Sequence, residues 1–158
     1  MKKLFTLLLL LTSMLSAGAQ DMPTIDIHYA GATAKVSIPS SIQDVTATVS
    51  GASVTLNSAT EATEYRYHVS GSTTDGRLYI IGNYKLTLEL DNTSITSQTG
   101  AALTVSCGKR IAVILKDGTT NTFVDAASGT QTAAVYFTGH PEFEGKGTLK
   151  SRAIRSTP

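Results

Sequence analysis

Beyond residue 20 the apolar residues fall on alternate positions in short runs, and almost no stretch repeats with a helical period. "AKVSIP" (34–39), "VTATVSG" (45–51), "SVTLNS" (53–58), "YRYHVSG" (65–71), "RLYIIG" (77–82) and "KLTLELD" (85–91) each read as a half-buried strand. "ALTVSC" (102–107), "RIAVILKD" (110–117), "AAVYFTG" (133–139) and "TLKS" (148–151) continue the series. Gly, Asn, Asp and Ser stand between them, and Thr and Val dominate within. Such residues suit a pleated, two-faced surface and the turns that connect it. The chain is therefore all-β, which leaves a sandwich, a barrel or a coiled solenoid.

A weak internal repeat favours the solenoid. "KLTLELDNTSITSQTGAALTVSCGK" is followed by "RIAVILKDGTTNTFVDAASGTQTAAVYFTGH" and then by "PEFEGKGTLKS". Each opens on an alternating strand, turns at Asp91-Asn92, Asp117-Gly118 or Gly145-Lys146, and re-enters a second strand. The period is roughly 25 to 30 residues, within the range of stacked repeats. In that alignment Leu86, Leu88 and Leu90 stack on Ile111, Val113 and Leu115, and "GAALTVSC" (100–107) matches "TAAVYFTG" (132–139). Lys116 is then one extra residue before Asp117, a slip that a corner bulge accommodates. Residues 21–74 do not share the period and read as a β-rich cap. Residues 75–151 read as the coils and 152–158 as an irregular tail.

Composition narrows the setting. "MKKLFTLLLLLTSMLSAGAQ" has two lysines, an apolar stretch and small residues before Ala19-Gln20, the pattern of a secretory signal peptide over residues 1–20. A membrane span needs roughly 18 apolar residues in succession, and Thr6, Thr12 and Ser13 interrupt this stretch. The expected location is secreted, periplasmic or at the cell surface. A net charge of +1 without a basic patch argues against nucleic acid. Cys107 is the only cysteine, so it forms no disulfide framework and reads as a small buried apolar residue.

The segments "TIDIHYAGATAKVSI", "VTATVSGASVTLNS", "DGRLYIIGNYKLTLELDNTSITSQTGAALTVSCGKRIAVILKDGTTNTFVDAASG" and "AAVYFTGHPEFEGKGTLKS" carry a resemblance. Its most specific pieces are the D-G-T-x-N-T segment at 117–122 and "EFEGKGTL" at 142–149. From Thr24 to Ser151 the chain resembles the secreted carbohydrate-binding domain-containing proteins of gut Bacteroides-type bacteria. That group is similar to a clostridial cellulose- and pectin-binding protein with a right-handed parallel β-helix and bound calcium. The resemblance implies a short right-handed parallel β-helix behind a β-rich cap, polysaccharide as the partner and calcium as a cofactor. Where such proteins continue with further coils, this sequence turns to "KSRAIRSTP". The expectation is a truncated copy whose exposed coil edges favour self-association. The alternative to glycan binding is a structural or adhesive solenoid without glycan specificity.

Candidate chemistry is sparse. For calcium, the candidates are Asp91 and Asp117 stacked across coils, with Glu89 or Asp125 nearby. The segment fails the spacing of a helix–loop–helix calcium loop. The competing reading is a strand corner in which Asp117-Gly118 turns the chain and Thr119, Thr120 and Asn121 satisfy backbone groups. Glu142 and Glu144 flank Phe143 in simple alternation, a solvated face more than a hydrolytic acid pair. His28, His68 and His140 lack metal-ligand spacing. No catalytic set emerges, so no enzyme is expected. For glycan contacts the candidates are Tyr79, pointing opposite to Leu78 and Ile80, and the basic pair Lys109 and Arg110. Tyr65 and Tyr67 share one strand face.

Overall fold

The computed structural model describes residues 21–126 and 133–154, and every regular element among them is a strand. The expected signal peptide and the last residues of the tail lie outside the described residues. Two mixed sheets form. The larger runs β12 (His140–Gly145), β9 (Arg110–Leu115), β7 (Leu86–Thr96), β5 (Arg66–Thr73), β1 (Thr24–Ala30), β2 (Thr33–Ser37). From the far half of β7 it branches to β10 (Thr120–Val124) and β13 (Thr148–Arg152). The smaller runs β11 (Val135–Phe137), β8 (Leu103–Cys107), β6 (Gly76–Gly82), β4 (Ala52–Ser58), β3 (Val45–Ser50). Only β1–β2 and β3–β4 pair antiparallel, and the other ladders are parallel.

From β4 to β9 the chain alternates between the sheets, and each strand from β4 to β7 pairs in parallel with the strand two further on. Like residues therefore stack in columns. Leu86, Leu88 and Leu90 lie against Ile111, Val113 and Leu115, the register the repeat predicts. Leu103 and Val105 lie against Val135 and Phe137, as the second match predicts. Alternation sends one set of side chains inward: Ile27, Val69, Leu88 and Val113 from the larger sheet meet Val54, Leu56, Ile80 and Val105 from the smaller. Parallel pairing begins upstream of residue 75, since β4 pairs with β6 and β5 with β7. The hairpin partners β2 and β3 form the sheet edges at that end.

The corners are set by particular residues. In β7 the ladder to β5 runs Ser70–Asp91 and then Gly71–Thr93, which leaves Asn92 as a bulge with φ of 51°. Asparagine tolerates that left-handed conformation better than most residues. On the next strand pairing with β7, the buried Asn121 accepts a hydrogen bond at its Oδ1 from the Thr93 N–H at 2.9 Å. Its Nδ2 donates to Thr119 Oγ1 at 3.1 Å and to the Thr148 carbonyl at 3.4 Å. Thr119 Oγ1 in turn donates to the Lys116 carbonyl at 2.7 Å, and Gly118 takes a φ of 74°. "KDGTTN" is thus a strand corner held by its own polar side chains, the second of the two readings set out above.

Cys107 is buried, its Sγ donating to the Tyr84 carbonyl at 3.1 Å. Tyr65 and Tyr67 both point into the core. At the opposite end from the hairpins, β12 is exposed along its length, and Phe143 meets Phe137 edge-to-face at 6.2 Å while remaining 51% exposed.

Candidate functional site

The two sheets present different outer faces. On the larger sheet the outward positions carry charge, and much of that charge is engaged. His68 Nδ1 lies 2.9 Å from Asp26, and its Nε2 lies 3.4 Å from Asp91, whose carboxylate also takes the Lys116 ammonium. Glu64 accepts from Thr87 Oγ1 at 2.9 Å and from Arg110 at 3.0 Å, with Lys85 at 3.2 Å. Arg110 also reaches Glu142 at 3.6 Å, and Arg66 reaches Glu89 at 3.4 Å.

The titrations follow from these contacts. Burial pushes Glu64 up, but the hydrogen bonds from Thr87 and Lys85 and the Arg110 charge outweigh it and hold the carboxyl below its ordinary value. Asp91 is held low chiefly by the Lys116 hydrogen bond, and Lys116 is raised by the same contact. A depressed carboxyl adds stability above its unfolded value near 3.8 and loses it as the pH falls through the folded value. A raised ammonium adds stability below about 10.5 and loses it as the pH rises through the folded value. The destabilisation caused by Asp91→Asn is therefore expected to shrink below the lower limit and above the upper one. Urea unfolding of both proteins from pH 3 to 11 checks this.

These placements bear on the residues singled out from the sequence. Asp91 does not stack on Asp117. Lys116 directly follows Leu115, the partner of Leu90 in the last pair of the β7–β9 ladder, and its ammonium takes the Asp91 carboxylate. Asp117 accepts instead from the Lys146 N–H at 2.9 Å, and the buried Asp125 accepts from the Ile154 N–H. Calcium takes six to eight oxygens. Here the three carboxylates share no partner, and Asp91 is already taken by the Lys116 ammonium. Among the described residues no group of three or more His, Cys, Asp or Glu side chains converges on one point. The donor set does not fit calcium. Nor do the glycan candidates meet as a group: Tyr79 is on β6 of the smaller sheet, whereas Arg110 opens β9 of the larger and is held by Glu64 and Glu142. Lys109 is exposed in the turn before β9, where its carbonyl accepts from the His140 N–H at 3.1 Å.

The smaller sheet offers the contrasting surface. Its registers run Thr48–Thr55, Thr55–Tyr79, Tyr79–Thr104 and Thr104–Tyr136, one continuous column of hydroxyl-bearing side chains across five strands. All five point outward and reach solvent, Tyr136 with 42% of its surface exposed. Flanking outward positions on β4 are Ser53 and Asn57, and on β6 Arg77 and Ile81. No outward strand position on this sheet is acidic. Beside Tyr79 lies a concavity of about 130 Å³ lined by Arg77, Leu78, Thr99, Ala101 and Thr104. Tyr79 was legible in the sequence as an outward tyrosine. Its column was not, because the offsets linking Thr55, Tyr79, Thr104 and Tyr136 differ from strand to strand.

Fold and surface together define an all-β module that displays one charge-paired face and one polar, tyrosine-bearing face. Among the described residues no helix is long and apolar enough to cross a membrane. A family model for carbohydrate-binding domain-containing proteins matches residues 41–156, and the chain belongs to that family. No curated protein and no solved structure matches it.

Proposed function

We propose that this chain is a non-catalytic module that binds polysaccharide outside the cytoplasm, and that its coils wind as a right-handed parallel β-helix. The observation that carries the binding reading is the Thr–Tyr column on the smaller sheet, in a chain of carbohydrate-binding family. A sugar has a rim of hydroxyls and a C–H face. Threonine hydroxyls suit the rim, and tyrosine rings suit the face while offering their own O–H. The larger sheet is less suited, because its charges already serve one another and would have to be separated to receive a ligand. The winding is supported by parallel registers that advance one coil at a time, with the handedness that parallel crossovers take. The apolar segment before Ala19-Gln20 supports export.

The test is native affinity electrophoresis in gels containing hydroxyethylcellulose, polygalacturonate or host-type glycans, each with calcium and with chelator. Retardation in at least one glycan is expected, and chelation should leave it unchanged because the column holds no carboxylate. Loss of retardation on chelation would restore a role for calcium. An unretarded band in every gel would count against glycan binding and favour the structural or adhesive reading, to which the exposed edge strand β12 with Phe143 gives support.

A further inference from the structure

We infer that the glycan lies across the strands of the smaller sheet, seated on Thr55, Tyr79, Thr104 and Tyr136; this rests on the carbohydrate-binding reading above and adds the ligand's place and direction. Tyr79 and Tyr136 sit on strands separated by one intervening strand, β8. At the spacing of paired strands their backbones are roughly 10 Å apart, and the whole column from Thr48 spans roughly 19 Å. Thr104 fills the step between the two rings.

Chemistry repeats across the strands and not along them. Along β6 the outward side chains change from guanidinium to phenol to aliphatic, at Arg77, Tyr79 and Ile81. Strand β11 has only three residues and presents a single outward side chain, Tyr136. An extended glycan reads such a column well. Successive rings of the chain turn over, so alternate sugars offer the same face to a surface, which matches aromatic platforms on every second strand. The intervening sugar meets Thr104, and the concavity beside Tyr79 takes one ring substituent. A single sugar spans only one platform and gains only part of the contact.

Calorimetric titration tests the seat with cellohexaose, cellobiose, hexagalacturonate and digalacturonate. The preferred hexasaccharide should bind about tenfold or more tightly than its disaccharide, the gain from engaging a second aromatic platform. Tyr136→Ala should lower hexasaccharide affinity about tenfold. Thr104→Lys, which lays a long side chain between the two rings, should weaken it at least as much. Both positions reach solvent, so the thermal midpoints should stay close to wild type, and Lys35→Ala on β2 should leave binding unchanged. Equal affinity for the two chain lengths would overturn the inference while leaving the binding function intact. So would hexasaccharide binding that survives both Tyr136→Ala and Thr104→Lys. Absence of binding to all four sugars would overturn this seat for extended glycans, and an unretarded band in every gel as well would overturn the proposed function.

Discussion

Gly71→Ala is expected to leave little folded protein. At Gly71 φ is 83°, a conformation that L side chains rarely adopt, and an added Cβ would stand 2.0 Å from the Tyr29 carbonyl oxygen on the neighbouring strand. Neither atom can move alone. Tyr29 and Gly71 face each other in the β1–β5 ladder, and the Tyr29 ring is buried with its hydroxyl donating to the Arg77 carbonyl at 3.0 Å. On its other side Gly71 pairs with Thr93, directly after the Asn92 bulge. Relieving the clash therefore separates β1 from β5 or straightens the corner in β7. Either change breaks buried ladder bonds, and the cost is about 4 kcal/mol or more. Gly118→Ala is the control. That glycine also has positive φ, 74°, but an added Cβ meets nothing within 4 Å. Only the conformational penalty of about 1 to 2 kcal/mol remains. Urea unfolding of the two variants should separate them clearly, and equal losses would mean that the close approach of β5 to β1 is not what requires a glycine at position 71.

Asn121→Ala should cost about 3 kcal/mol, most of it through groups left without partners. Asn121 is fully buried, and its carbonyl is the acceptor for the Thr93 N–H at the point where β7 turns. Alanine leaves that N–H buried and unpaired. It also withdraws the donor from Thr119 Oγ1 and the Thr148 carbonyl, which links the corner to β13. Asn121→Asp keeps the acceptor but places a carboxylate beside the Thr148 carbonyl oxygen. Burial raises its folded pKa, so the stability of this variant should improve as the pH falls toward the unfolded carboxyl value and the group protonates. Denaturant midpoints at pH 7 and pH 4 check both statements. A loss for Asn121→Ala no larger than for an exposed substitution such as Thr120→Ala would contradict the corner account.

Much of the architecture was legible because the core columns are written as alternation. Leu86, Leu88 and Leu90 align on Ile111, Val113 and Leu115 whichever way the intervening turn is drawn, since a slip of one residue would expose all of them. The polar corner was legible for a similar reason, because Asp-Gly followed by Thr and Asn is turn chemistry at short range. Contacts set by register beyond the core were not. Asp91 meets Lys116 and not Asp117 because Lys116 is the residue that follows Leu115, just as Asp91 follows its partner Leu90. His68 joins Asp26 and Asp91 from positions 42 and 23 residues away, with no local pattern to announce it. The Thr–Tyr column is hidden in the same way. Thr and Tyr are common in strands, and only the pairing places Thr55, Tyr79, Thr104 and Tyr136 in one line.

The proposed glycan-binding face is tested most directly by chemical-shift mapping of the isotopically labelled chain during titration with the hexasaccharide. Shifts concentrated at Thr55, Tyr79, Thr104 and Tyr136, with His68, Asp91 and Lys116 unmoved, are the result predicted. Shifts concentrated on His68, Asp91 and Lys116, with the tyrosine column silent, would place the ligand on the charged sheet and contradict the account.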